Sequence, residues 1–194
     1  MAKHIRALLE IGPKGKKVVA VAPDWPGLER GAKTKEDAIE RLLAYVPRYS
    51  QVVKLAKMDA DFDAIKNVEV VEQYPGMGSI DFWGISFALS SIDRQAMSED
   101  ELERELTLMQ ACWAFFDNVR RRVSAEMQKG PRGGGRDRDH IIRHTLYAEQ
   151  DWGRMIGVPP LDDEAMLTNK RLKTHRNAYC YAIRDYHAQG KLAG

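Results

Sequence analysis

The stretch Lys129-Gly-Pro-Arg-Gly-Gly-Gly-Arg-Asp-Arg-Asp139 sets the strongest limit on how this chain can fold. Each glycine costs about 1 kcal/mol relative to alanine inside a helix, and three stand together beside a proline. No helix can run through them cheaply. Apolar residues at helical spacing lie on both sides, so the second half of the chain is expected to fold as separate helices joined at a tight cationic corner.

The helix before the corner opens at Ser98 with Glu101, a capping box. Leu102, Leu106, Met109, Cys112, Trp113, Phe116, Val119, Val123 and Met127 follow mostly at three- and four-residue steps, which predicts a helix running to Gly130-Pro131. Asp137 or Asp139 caps a second helix that ends at Gly157, before Pro159-Pro160. Asp162 or Asp163 opens a third, reaching about Gln189, with the stripe Leu172, His175, Tyr179, Ile183 and Tyr186.

The first half reads differently. Residues 3–11 alternate Ile5, Ala7 and Leu9 with Arg6, Leu8 and Glu10, and residues 16–22 carry the run Val18 to Val21; together they predict a β-hairpin turned at Gly12-Pro-Lys-Gly15. Pro23-Asp-Trp-Pro-Gly27 cannot be regular structure, because Trp25 before Pro26 is pushed toward an extended conformation. Residues 28–33 suit a short third strand. Thr34 then opens a helix whose apolar face is Ala38, Ile39, Leu42, Leu43 and Val46, with Pro47 expected to kink or end it and a further helical stretch over residues 49–58. Val68-Glu-Val-Val-Glu72 reads as the last strand. Residues 76–97 read as an apolar linker, and Phe82, Trp83, Ile85, Phe87 and Leu89 predict that it packs along a domain surface.

A formal net charge of +2 argues neither for nor against nucleic acid, which ranks last among the expected partners. The clusters Arg120-Arg121-Arg122 and Lys170-Arg171-Lys173 read as solvated helix faces. Cys112 and Cys180 lie in helical patterns without close-spaced partners and suit reduced core residues in a cytosolic protein. No apolar run is long enough to span a membrane. The chain is therefore expected to be cytoplasmic, without a membrane association. No Walker loop, dinucleotide fingerprint or nucleophile elbow is present.

Chemistry concentrates after the corner. At about 100° per residue, Ile141, Ile142, Thr145, Leu146, Trp152 and Ile156 share one arc of the second helix. Glu149 falls inside that arc and His144 at its edge, while His140, Tyr147 and Asp151 lie toward solvent. His140 and His144 have the His-x-x-x-His spacing that lets two imidazoles reach one metal. A carboxylate on an apolar face needs a partner or a raised pKa, so Glu149 is either a structural ion pair or a metal ligand or general base. Arg132 and Arg136 lie close enough in sequence to pair with Glu149 or to hold an anionic ligand. His175, on the third helix's stripe, is either a core histidine or a metal ligand completing a site with His144.

Two stretches carry a family resemblance. Asp24-Trp-Pro-Gly27, Gly31, Thr34 and Lys35-Glu-Asp-Ala38, within a ββ(β)αβ pattern over residues 3–74, resemble the HicB-like domain. That resemblance implies a binding module, since HicB family members often act as antitoxins against an RNA-cleaving partner. The glycine–arginine corner, followed by His144 and Ala148-Glu149, is similar to a branch of the DinB-like helical bundle proteins in which a HicB-like segment precedes the bundle. It implies an up-and-down bundle with a divalent metal (zinc, nickel or iron) held by histidines, His144 matching the one on the second helix, and a thiol-transferase or hydrolase ancestry. The family's fourth helix, with its own His-x-x-x-His pair, has no counterpart here, so a complete three-histidine site is not expected.

The expected architecture is thus α+β: a HicB-like domain over residues 1–75, the linker, and an incomplete DinB-like bundle of three long helices over residues 98–194. Its open apolar groove suits a homodimer or a protein partner. Two functions follow: a metal-binding DinB-like protein, or a non-catalytic binding or regulatory module.

Overall fold

The computed structural model describes residues 3–62, 65–128, 135 and 137–190. They are α+β and divide into two compact units, Met1–Phe115 and Phe116–Gly194.

In the first unit, β1 (Lys3–Ile11), β2 (Val18–Val21) and β3 (Glu29–Ala32) form an antiparallel meander. After α1 (Lys35–Leu55) and the short α2 (Asp59–Phe62), β4 (Ile65–Pro75) returns parallel to β1, giving a four-stranded mixed sheet in the order β3-β2-β1-β4. β4 is longer than its β-branched centre implied, because it pairs with β1 over the whole of β1's length. Thr34 caps α1 by accepting the Asp37 N–H at 3.1 Å. Pro47 lies inside this helix and does not end it. The buried face runs from Ala38 and Leu42 before it to Tyr49, Val52 and Val53 after it, so packing outweighs the lost hydrogen bond. The carbonyl that proline leaves unbonded belongs to Leu43, which lies on the exposed side.

Ile5, Ala7 and Leu9 of β1 join Leu42 and Val53 of α1, Trp25 and Phe62 in one buried cluster. Leu108 and Ala111 of α4 (Glu99–Arg122) belong to the same cluster. Helix α4 opens with the expected capping box: Ser98 N–H donates to Glu101 Oε2 at 2.8 Å and Glu101 N–H to Ser98 Oγ at 3.3 Å.

Residues 76–97 include α3 (Gly78–Trp83) and are bound to the rest of the first unit through carboxylates, among them Asp81 and Glu10. Asp81 accepts the N–H groups of Lys14 and Lys16, each at 2.8 Å, and of Lys17 at 3.3 Å. Burial pushes the Asp81 carboxyl up, but those three donors outweigh it and hold the carboxyl below its ordinary value. Glu10 accepts the Ser86 hydroxyl at 2.5 Å and the N–H groups of Ala88 at 2.9 Å and Phe87 at 3.2 Å. Strand alternation set Leu8 and Glu10 apart from the core residues of β1, yet both are buried, and residues 86–88 close over Glu10.

In the second unit, the last turns of α4 are followed by α5 (Arg138–Met155), α6 (Asp163–Leu167) and α7 (Asn169–Ala188). Ile142, Leu146, Met166 and Leu172 form a small apolar core with Phe116, Leu161 and Leu167. Asp117 accepts Arg120 Nε at 2.9 Å and Arg176 Nη1 at 2.8 Å, which ties α4 to α7. Two helix limits differ from the sequence reading. Helix α4 stops at Arg122, since residues 124–128 are exposed and the Ser124 hydroxyl donates to the Glu126 carbonyl, drawing the backbone into a local turn. The third helix is broken at Thr168, whose backbone is extended. On one continuous helix Met166 and Leu172 would point about 120° apart; the break lets both enter the core. Asp162 caps α6 by accepting the Ala165 N–H at 2.7 Å. Cys112 and Cys180 are both free thiols. No helix among the described residues is long and apolar enough to cross a membrane.

Candidate functional site

The histidines of α5 form a solvent-facing group. Asp137, at the helix N-cap, accepts the His140 N–H at 2.7 Å. One helical turn on, His144 is exposed, and Asp137, His140, Arg143, His144 and Tyr147 line a shallow depression of about 300 Å³. His140 and His144 stand on one exposed face, one turn apart, but the apolar arc differs from the expected one. Thr145 and Trp152, expected in the apolar arc, are exposed. The buried stripe is Ile142, Leu146, Gln150 and Gly153. Gln150 was missed although it lies four residues beyond Leu146, and its Oε1 accepts the Leu161 N–H at 2.8 Å. The Tyr147 hydroxyl donates to the Asp163 carboxylate, and that bond, with burial, raises its pKa.

Glu149 and His175 do not line this depression. Glu149 is half-buried, and its backbone carbonyl accepts the Tyr179 hydroxyl at 3.2 Å. Burial, reinforced by the Glu149 charge, pushes the Tyr179 phenol up to about 12. His175 is buried, 6.2 Å edge-on to the Tyr179 ring. Burial depresses its pKa against the opposing hydrogen bond to the Pro159 backbone. Arg132 and Arg136 lie outside the described residues, as does most of the glycine corner. Among the described residues, no group of three or more His, Cys, Asp or Glu side chains could hold a metal ion.

A larger cleft, of about 710 Å³, lies in the first unit. Its floor is the Asp24–Gly27 loop. That loop is shaped by the Trp25 N–H bond to the Ala22 carbonyl at 3.0 Å and the Leu28 N–H bond to the Trp25 carbonyl at 2.9 Å. The Tyr49 hydroxyl anchors it from below, donating to the Pro26 carbonyl at 2.8 Å, and burial raises the Tyr49 phenol. Trp25 is packed edge-on against Phe62 at 4.8 Å. The Arg104 guanidinium lies over the Trp25 ring, 4.8 Å from its centroid, and bonds Glu105 at 2.7 Å. Arg6 grips Asp24 with two nitrogens, which raises its own pKa. Burial raises the Glu105 carboxyl against the pull of Arg104. His4, Ile92, Met97 and Glu101 complete the wall.

The sequence showed the loop but not its partners. Arg6 lies 18 residues from Asp24 along the chain, and Arg104 sits among the polar residues of an amphipathic helix. Only the parity of Arg6, outward on a strand whose neighbours face inward, marked it as available. The described lining carries carboxylates, guanidinium groups, an imidazole and an indole, but no hydroxyl or thiol nucleophile. Such a lining is equipped to bind planar or charged groups.

No protein-family model, curated protein or solved structure matches the chain.

Proposed function

We propose that this chain is a non-catalytic binding or regulatory module of HicB-like type, and that its first unit recognises a ligand or partner segment in the cleft over Trp25. The observation that carries this reading is the Arg104–Trp25 stack at 4.8 Å beside two guanidinium–carboxylate pairs. An incoming carboxylate can exchange with Glu105 on Arg104, and a flat group can lie against the indole edge. The ββ(β)αβ order, and the placement of Asp24-Trp-Pro-Gly27 at the cleft floor, support the HicB-like assignment. The glycine–arginine corner and the helices around it support a DinB-like ancestry for the second unit.

A thermal-shift screen of the untagged chain, using a library rich in flat aromatic acids and short acidic peptides, tests the reading. Compounds that stabilise the parent should lose that effect in both Arg104→Ala and Arg6→Ala. A library without hits, or hits indifferent to both substitutions, defeats it.

A second reading keeps a metal on the second unit. It rests on His140 and His144, exposed one turn apart in a common depression with Asp137. Metal analysis of untagged protein tests it: stoichiometric zinc, nickel or iron lost in His144→Ala supports it, and metal-free protein with unaltered folding in that variant defeats it.

A further inference from the structure

The segment that covers Glu10 turns its charges inward and its apolar groups outward. Beneath it, Asp81 is bound to three backbone N–H groups of the β1–β2 turn, Glu10 to those of Phe87 and Ala88, and Glu29 to that of Ser86. On its outer side Phe82 is 74% and Trp83 61% exposed, with Met77, Ile85, Phe87 and Leu89 exposed around them. The Phe82 and Trp83 rings meet edge to face at 5.1 Å, and Phe87 stands 6.4 Å from Trp83. Beside these rings lies the turn bearing Lys14, Lys16 and Lys17. Lys14 and Lys16 are exposed, and the Lys17 ammonium donates to the Phe82 carbonyl at 2.6 Å. Lys14 and Lys16 present exposed ammonium groups at this edge, while the carboxylates of Asp81 and Glu10 are directed onto backbone donors.

We propose that this aromatic–lysine face docks on an anionic lipid surface. Phe82 and Trp83 keep most of their surface in solvent, so the patch projects rings rather than receiving them. Exposed Trp and Phe at such a tip suit the boundary between lipid headgroups and acyl chains, while neighbouring lysines meet the anionic headgroups. The apolar run is too short to span a bilayer and needs only to lie in its surface. A second copy docked face to face on the same patch would set two lysine turns against each other, an arrangement disfavoured by like-charge repulsion. An acidic protein surface would satisfy the lysines but would also need an apolar recess for two projecting rings; a bilayer supplies both properties together.

Untagged protein is sedimented with phosphatidylserine–phosphatidylcholine vesicles and with phosphatidylcholine vesicles, while its tryptophan emission is followed. The proposal predicts co-sedimentation and a blue shift with the first vesicles only, both reduced by added salt. Phe82→Ser with Trp83→Ser should abolish binding and the shift. Lys14→Gln with Lys16→Gln should weaken binding by roughly fivefold for each charge removed, and this pair keeps the test open should the ring variants misfold. Binding equal on both vesicle types, binding unaffected by either pair of substitutions, or no binding at all overturns the proposal. So does a dimer that the ring substitutions convert to monomer in place of any lipid binding. The cleft reading does not depend on this outcome, since neither pair of substitutions touches the wall around Trp25.

Discussion

The buried carboxylate of Glu10 accepts the backbone N–H of Ala88 at 2.9 Å, across 78 residues of sequence. With the bonds from Phe87 and Ser86, it holds residues 86–88 over the end of β1. Glu10→Ala leaves two backbone donors without their acceptor and should destabilise the first unit by about 3 kcal/mol. Denaturant unfolding checks the magnitude. Hydrogen exchange at Phe87 and Ala88 checks the cause: both amides should become fast exchangers, and unchanged protection would show that something else holds the segment.

Gly31 and Gly84 touch backbone to backbone. A Cβ on Gly31 would run into the Gly84 carbonyl, and neither main chain can step aside easily. Gly31→Ala should cost about 2 kcal/mol as an overpacking strain. Gly12→Ala would meet the Asp81 carboxylate, which can swing aside only by giving up its bonds to the N–H groups of Lys14, Lys16 and Lys17. Thermal unfolding should show both variants destabilised relative to the parent.

Asp117 is the shared acceptor of Arg120 and Arg176, whose side chains are only 9% and 10% exposed. Asp117→Ala removes the shared acceptor of two largely buried guanidinium groups, although Arg120 keeps its bond to Asn169. Breaking a fully buried pair costs about 3–5 kcal/mol; Asp117 keeps 26% of its side-chain surface, so about 2 kcal/mol is expected here. Hydrogen exchange at the amides of α5 and α7 during equilibrium unfolding reads the second unit.

His175 supplies a pH dependence. Burial depresses its folded-state pKa below the ordinary 6.5. Above about pH 6.5 the imidazole is neutral in both folded and unfolded chains and adds no slope. As pH falls below that value the unfolded chain takes up the proton first, so stability declines until the folded-state pKa is passed. His175→Gln should remove this component, and the difference in midpoint between the two proteins should therefore narrow or reverse on acidification. A constant difference across pH 5 to 8 would mean that His175 titrates alike in both states.

Local features were the most legible in the sequence. The capping box at Ser98, the caps at Thr34 and Asp137, and the strand-and-helix order of the first unit follow from spacing over a few residues. Features that depend on distant packing were not legible. Pro47 sits in an unbroken helix because a buried face continues past it, and Thr168 breaks a helix because Met166 and Leu172 both enter the core. Glu10 looked like a polar residue on an alternating strand and became the anchor of residues 86–88. At the candidate sites, the sequence located Asp24-Trp-Pro-Gly27 and the His140–His144 spacing, but not Arg6, Arg104 or Glu105, which come to the loop from other parts of the chain.

The central claim is that recognition belongs to the cleft over Trp25. An amide chemical-shift titration of the isotope-labelled, untagged chain with the best stabilising compound tests it most directly. The predicted result is a saturable set of shifts at Asp24, Trp25, Gly27, Ile92 and Met97, absent in Arg104→Ala. Shifts gathered instead on α5 around His140 and His144, with the cleft amides unmoved, would contradict it.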